Sequence, residues 1–171
     1  MIIHTYWLMQ QNQEPKYLTP YVSGVSELVN NTGEIGRFIA RVFKLPESVQ
    51  SIFRNFSTAE FLVDKLAPSF GLDVDQTAEL TSILRDVLLA DLFWGDFAKT
   101  ISARLQVDPD TASQIVKAVT DGLLTPALED IKAMQREKFR DRIPQSDSQT
   151  QQPAANINTE GNVIDLRKQN Q

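Results

Sequence analysis

The chain has 171 residues, 42% of them hydrophobic, which suffices to bury the core of one domain. Its net charge of −5 disfavours a wide surface for nucleic acid, and the lack of cysteine excludes disulfides, thiolate metal sites and a cysteine nucleophile. No apolar run reaches the roughly 18 residues of a membrane span, and the first residues lack the basic region of a signal peptide, so we predict a cytoplasmic protein.

The first 18 residues differ in composition from the rest of the chain. The stretch from Ile2 to Met9 is rich in β-branched and aromatic residues and predicts an extended arm. A single strand is unstable alone in water, so the arm must pack on its own domain or on a partner. Tyr6 and Trp7 are therefore the first candidate partner-binding residues.

Residues 19–143 predict a helical domain. Proline lies just inside four predicted helix starts, where its missing N–H loses no partner, at Pro20, Pro46, Pro109 and Pro126. Each predicted helix has one apolar stripe, and the stripe of residues 74–92 is the widest, which places that helix at the centre. The predicted helices span residues 20–31, 33–44, 46–55, 58–69, 74–92, 95–106, 109–124 and 126–142.

Several helix ends carry capping signals. Ser57–Glu60 has the spacing of a capping box, and Asp73–Gln76 approximates one. Gly71 predicts a helix stop, because glycine adopts the left-handed conformation easily. The predicted N-caps are Thr19, Asp108 and Thr125.

Two stretches, residues 62–89 and 97–124, repeat the same hydrophobic spacing at an offset of 35 positions. A period of this size predicts a helix hairpin used twice, at about 58–92 and 94–124. The predicted fold class is therefore all-α, either a bundle or a short stack of helix hairpins with about eight helices. The paired positions are Leu62/Phe97, Leu66/Ile101, Phe70/Leu105, Leu72/Val107, Leu80/Ile115, Leu84/Val119, Leu88/Leu123 and Leu89/Leu124.

Phe93 and Trp94 precede Gly95 at the turn between the two predicted hairpins. Aromatic residues at such a turn either anchor the hairpins to each other, which is the commoner case, or form an interaction hot spot. The sequence leaves both alternatives open.

The composition changes again after residue 143. Residues 144–162 are mostly small and polar, cannot offset the entropy of ordering by burial, and predict a disordered linker. Residues 163–171 begin with aliphatic residues next to charges, which is typical of a docking peptide on a tether. The alternative is an unstructured end. The candidate docking residues are Val163, Ile164 and Leu166.

The sequence predicts no catalytic, cofactor or metal site. His4 is the single histidine and has no partners for a catalytic triad. The pairs Asp73/Asp75 and Asp108/Asp110 have a spacing that could serve Mg²⁺ or Ca²⁺, but the further ligands of a calcium loop are missing. Capping of helix N-termini is therefore the favoured interpretation of both pairs.

The last predicted helix holds the best candidate surface for nucleic acid. Glu137 and Asp141 alternate with its basic residues, so pairing within the helix explains much of the pattern. The possible basic face consists of Arg136, Lys138, Arg140 and Arg142.

Residues 45–128 resemble a helical domain found in many predicted proteins of candidate-phyla bacteria. The match covers about half of the chain, and Trp94-Gly95 departs from the more proline-rich turn of that domain. The resemblance implies a helical fold and no activity, since the family has none assigned. The matching motifs are Leu45–Gln50, Ser57–Glu60, Gly71–Gln76, Glu79-Leu80, Asp96-Phe97, Leu105–Asp108, Ala112 near Ile115, and Ala127-Leu128.

The leading functional prediction is a non-catalytic helical module that binds a protein partner, as an adaptor or assembly factor. Its contacts would come from the helical surface, the arm or the C-terminal peptide. A nucleic-acid-associated regulator and a membrane-peripheral or envelope-assembly protein are the alternatives, and an enzyme is the remaining possibility.

Overall fold

The helices follow the predicted order in a computed structural model that describes residues 18–142. Within that range the chain forms helices and no strand, which confirms the all-α class. None of these helices combines the length and the apolar character needed to cross a bilayer. The predicted arm with Tyr6 and Trp7, the linker, and the docking residues Val163, Ile164 and Leu166 lie outside the described residues.

We number the helical rods α1 to α8. Two of them are composite: α4 joins an α-helical start, a π-helical middle and an α-helical end, and α7 ends in a π-helical segment. The bounds are α1 Pro20–Glu27, α2 Thr32–Val42, α3 Glu47–Arg54, α4 Phe56–Glu60 with Phe61–Leu66 and Ala67–Phe70, α5 Val74–Leu88, α6 Phe97–Leu105, α7 Pro109–Val119 with Thr120–Leu124, and α8 Leu128–Lys138. Short 3₁₀ turns lie at Trp94–Asp96, Thr125–Ala127 and Arg140–Arg142.

Helix α5 occupies the centre, as the width of its apolar stripe predicts. It contacts α1, α3 and α6, and even Thr77, Thr81 and Ser82 on it are buried. The buried threonine hydroxyls donate to backbone carbonyls four residues earlier, so their burial leaves no unpaired donor. Side chains of this core include Phe38, Phe53, Leu62, Leu80, Ile83, Leu84, Phe97, Ile101, Leu105, Ile115 and Ile131.

The π-helical segments of α4 and α7 approach each other at Phe61 and Gly122. A Cβ atom built on Gly122 would lie 2.5 Å from the Phe61 ring. Only glycine therefore allows the ring to rest directly on the backbone of α7 at this point.

Arg85 of α5 joins α1 to the centre of the domain. It bonds to Glu27 at 2.6 Å and to Asp86 at 2.8 Å, and Asp86 also lies 3.6 Å from Arg104 of α6. Burial alone would lower the pKa of the Arg85 guanidinium, but the hydrogen bonds to Glu27 and Asp86 outweigh it and raise the pKa.

Three predicted N-terminal capping signals are confirmed. Thr19 Oγ1 accepts from the N–H of Val22 at 3.2 Å, and Asp108 Oδ1 accepts from the N–H of Thr111 at 2.9 Å. Asp73 and Gln76 form a complete capping box, with reciprocal bonds of 2.8 and 3.0 Å.

Two other predicted caps are wrong. Asn55 rather than Ser57 caps α4, and the Thr58 hydroxyl donates instead to the Ile52 carbonyl in the preceding helix at 2.8 Å. Thr125 belongs to a 3₁₀ turn and donates to the Thr120 carbonyl at 3.0 Å, while α8 begins later without a side-chain cap. In the first case Asn55, two residues earlier, takes the capping role from Ser57, and in the second a neighbouring backbone carbonyl takes the Thr125 hydroxyl.

The two stretches that share the hydrophobic spacing also share their loop geometry. Gly71 ends α4 with φ +63°, and Gln106 ends α6 with φ +56°, which are equivalent positions at the offset of 35. Asp73 and Asp108 then cap the following helices. In each pair, the first helix thus ends at a residue with left-handed backbone conformation, and an aspartate two positions later caps the second helix.

Candidate functional site

A groove of about 510 Å³ lies between α8 and the turn that leads into α6. Its walls are mostly apolar, and Lys132 and Arg136 are the charged residues among those that line it. The remaining lining residues are Phe93, Trp94, Gly95, Thr120, Leu128, Ile131 and Gln135.

One face of α8 supplies a long side of this groove. Leu128, Ile131, Lys132, Gln135 and Arg136 follow the spacing of three and four residues that places side chains on one side of a helix. Ile131 is buried and forms the base, whereas Lys132 and Arg136 are exposed. The groove therefore has an apolar base with two cations along one edge.

Gln135 connects α8 to the opposite wall. Its Oε1 accepts from the N–H of Trp94 at 3.0 Å, and its Nε2 donates to the carbonyls of Leu92 at 3.0 Å and Val87 at 3.4 Å. The side chain is only 4% exposed, so these bonds form away from water, where an unpaired group is expensive. Gln135 thus determines how far the wall at Trp94 stands from the helix.

Arg142 adds a second tie at the end of the groove. Its Nη1 lies 2.8 Å from Asp96 Oδ2, and its guanidinium lies 4.3 Å from the centroid of the Phe93 ring. Phe93 in turn packs on Phe139, with centroids 5.3 Å apart. The hydrogen bond from Arg142 lowers the pKa of the Asp96 carboxyl and raises the pKa of Arg142, since each stabilises the charged form of the other.

The start of the same connection is tied to α2. Arg41 donates to both carboxylate oxygens of Asp91, at 2.8 and 2.9 Å, and to the carbonyl of Leu89 at 3.3 Å. The connection 89–96 is consequently held at one end by α2 and at the other by α8 and the turn that follows it.

The aromatic turn at Phe93 and Trp94 has the anchoring role that was one of the two alternatives for it. Trp94 packs edge-on against Phe97 at 5.7 Å, and Phe93 packs on Phe139, so both rings anchor the turn. Both residues are also only partly buried and line the groove.

The four candidate basic residues are split between a helix and a turn. Arg136 and Lys138 belong to α8, which ends where Phe139 takes φ −117° and ψ 38°. Arg140 and Arg142 follow in a 3₁₀ turn, and Arg142 is engaged by Asp96. The basic stretch is therefore no continuous helical face, and Arg136 is the member that lines the groove.

The paired carboxylates serve the helices. Asp108 accepts from the N–H and the hydroxyl of Thr111, and the hydroxyl bond is the main reason why the pKa of Asp108 is lowered. Asp75 and Asp110 lie in the first turns of their helices, where a negative charge is favourable. Among residues 18–142, no group of three or more histidine, aspartate and glutamate side chains is arranged to hold a metal ion.

Sequence reasoning missed the groove and its main organiser, Gln135. The signal that could have found this residue is its position four residues after Ile131, on the buried side of the last helix. A glutamine on an apolar stripe needs partners in the interior, and backbone groups of an irregular connection are natural ones.

No protein-family model matches the chain, and none of the curated proteins or solved structures matches it either. The resemblance of residues 45–128 to the helical domain of candidate-phyla bacteria therefore stays a prediction. The functional proposal below depends on the geometry of the groove.

Proposed function

We propose that this protein is a non-catalytic interaction module of the cytoplasm that holds a short segment of a partner protein in the groove beside α8. The observation that carries the proposal is the combination of an apolar base at Ile131 and Leu128 with Lys132 and Arg136 on one edge. Such a groove suits a peptide with aliphatic side chains next to a carboxylate.

The apolar part of the groove supplies the affinity. Aliphatic side chains that leave water gain roughly 25 cal/mol for each Å² of apolar surface buried. Trp94 and Phe93 offer partly exposed aromatic surface held in place by the domain, so little entropy is lost when a ligand covers them. Cavities of roughly 300–1,000 Å³ enclose a drug-sized molecule, so a groove of about 510 Å³ accommodates a few side chains of a peptide rather than a folded domain.

The two cations supply orientation. Lys132 Nζ lies 2.8 Å from Glu129 Oε1 on the same helix, in a pair whose side chains are 48% and 81% exposed. Exposed pairs of this kind contribute about 0–1 kcal/mol, so Lys132 can exchange Glu129 for a ligand carboxylate at little cost. Arg136 lies one turn further along the same edge, and together the two side chains favour an acidic ligand and one direction of binding.

This function can be tested by selecting, from a displayed library of random peptides, those that bind the full-length protein. We expect the selected peptides to contain aliphatic residues flanking Asp or Glu. The double variant Lys132→Glu/Arg136→Glu should weaken them at least tenfold, because it reverses the charge at the edge of the groove. The matched control Lys44→Glu/Lys65→Glu makes the same change in charge at exposed residues outside the groove and should retain binding.

Two results would contradict the proposal. One is a selection that yields no peptide with this composition. The other is a set of peptides that bind the groove variant and the control variant equally well, since the ligand would then lie elsewhere on the domain.

A further inference from the structure

The chain itself contains a segment with the composition that the groove selects. In the sequence, Val163 and Ile164 precede Asp165, and Leu166 follows it. These residues lie outside the described part of the structure, whereas all the lining residues of the groove lie within it.

The tether to this segment begins beside the groove. Arg142, the last described residue, has its guanidinium 4.3 Å from the centroid of Phe93, and the Phe93 ring lines the groove. Residues 143–162, twenty in number, separate Arg142 from Val163. A chain of that length reaches up to about 70 Å when extended and has a root-mean-square span of about 25 Å as a flexible linker, so it can turn back to the groove without tension.

A carboxylate next to aliphatic residues distinguishes this segment from the N-terminal arm, and Arg167 and Lys168 follow outside it. Asp165 lies between two aliphatic residues and can face Lys132 and Arg136 while its neighbours enter the groove. The apolar stretch of residues 2–9 has no carboxylate. It is also attached ahead of α1, which packs on α3 and α5.

We infer that Val163–Leu166 docks in the groove of its own chain and blocks partner peptides until they displace it. This inference rests on the proposed function, because it assigns the same groove a competing occupant. A tethered segment has an effective concentration on the order of 1 mM. If it binds with a dissociation constant on the order of 0.1 mM, it weakens a competing peptide about tenfold.

The test measures how tightly full-length variants bind a fluorescein-labelled peptide of residues 160–166, which ends before Arg167 and Lys168 and therefore carries only acidic side-chain charges. The variant Val163→Ser/Ile164→Ser/Leu166→Ser should bind the labelled peptide about tenfold more tightly than the unmodified chain, because its own segment no longer competes. Ile157→Ser, which removes the large aliphatic residue of the linker, is the matched control and should bind like the unmodified chain. Adding Lys132→Glu/Arg136→Glu to the tail variant should abolish binding.

Three outcomes overturn the inference. The first is equal affinity of the peptide for the tail variant and the unmodified chain, and the second is no binding to either. The third is a dimer of the unmodified chain in sedimentation analysis that the tail variant does not form, because the segment would then occupy the groove of a second copy.

The peptides selected from the library show whether only the inference about the C-terminal segment fails or the proposed function fails as well. If they bind the groove while the 160–166 peptide does not, the groove still recognises partners and only the internal competitor is wrong. If they also fail to depend on Lys132 and Arg136, the proposed function fails as well.

Discussion

The loops inside the two helix pairs and the connection between the pairs are held in different ways. The loop after α4 and the loop after α6 each use a left-handed residue, Gly71 or Gln106, followed by an aspartate cap. The connection 89–96 also begins with a left-handed residue, Ala90, but its later part is held by side chains more than forty positions away, chiefly Gln135. Loop shape is thus encoded locally in the first case and by local and distant contacts together in the second.

Ala90, at the start of this connection, has a strained backbone conformation. It has φ +53° although it is not glycine, a conformation that costs an L-residue about 1–2 kcal/mol. Ala90 is also 4% exposed and follows Leu89, whose carbonyl accepts from Arg41. The N–H groups of Ala90 and Asp91 donate to the carbonyls of Val87 and Asp86 at 3.0 and 2.8 Å, so the end of α5 and the bond from Arg41 together hold this backbone.

The largest effect is expected from Gln135→Leu. Leucine has a similar size but leaves the N–H of Trp94 and the carbonyl of Leu92 without this partner, whereas the Val87 carbonyl still accepts from the N–H of Ala90 at 3.0 Å. Each buried group that loses its bond costs about 1–3 kcal/mol, so the free energy of unfolding should fall by about 2–4 kcal/mol in urea titration. Gln114→Leu, on the exposed side of α7, is the control and should change it by less than about 0.5 kcal/mol.

An unchanged free energy of unfolding for Gln135→Leu would show that the connection is held by its own residues. The distinction between local loops and a remotely tied connection would then disappear.

The same distinction explains which features the sequence predicts. The caps at Thr19, Asp73 and Asp108 and the stop at Gly71 depend on residues within four positions, and all four are confirmed. The all-α class follows equally from the helical spacing of apolar residues. Short-range patterns therefore sufficed for the helices and for most of their ends.

The groove depends on contacts that no local pattern contains. Gln135 meets Trp94 across 41 positions and Arg142 meets Asp96 across 46. Such pairs become visible only when helices that are distant in sequence pack together. The cap predicted at Ser57 failed for a different, local reason, because Asn55 two residues earlier accepts from the N–H of Ser57 and caps the helix.

A reciprocal pair of substitutions tests the local loops. Gly71→Ala should lower the free energy of unfolding by about 1 kcal/mol, because alanine is strained at φ +63° although no atom lies within 4 Å of its Cβ position. Gln106→Gly should raise it by about 0.5 kcal/mol, because glycine relieves the strain at φ +56° at some entropic cost in the unfolded chain. Both values come from urea titration.

Gly36→Ala provides the control for these substitutions. Gly36 lies inside α2 with ordinary helical backbone and open space around its Cβ position, so alanine should stabilise there by about 0.5–1 kcal/mol. A loss of stability for Gly71→Ala, against a gain for Gly36→Ala, would then be due to the backbone conformation at Gly71 alone. Equal effects at Gly71 and Gly36 would contradict the local closure of the loops.

The smallest effect concerns two carboxyls whose pKa values are lowered for different reasons. The pKa of Asp96 is lowered by Arg142 across the fold, and that of Asp108 by the neighbouring Thr111. Arg142→Gln should raise the pKa of Asp96 alone toward the ordinary value of about 3.9, and Thr111→Val should raise that of Asp108 alone. Carboxyl chemical shifts measured by NMR during acid titration resolve the two residues.

Both carboxyls have a lower pKa in the folded state than in the unfolded state, which fixes the sign of their effect on stability. Their contribution is complete above the ordinary pKa near 4 and is lost as the pH falls through the folded values. Arg142→Gln should therefore weaken the acid dependence of unfolding and change stability more near neutral pH than in acid. If Asp96 titrates identically with and without Arg142, the guanidinium does not tie the end of the connection in solution, and Gln135 alone would hold that wall of the groove.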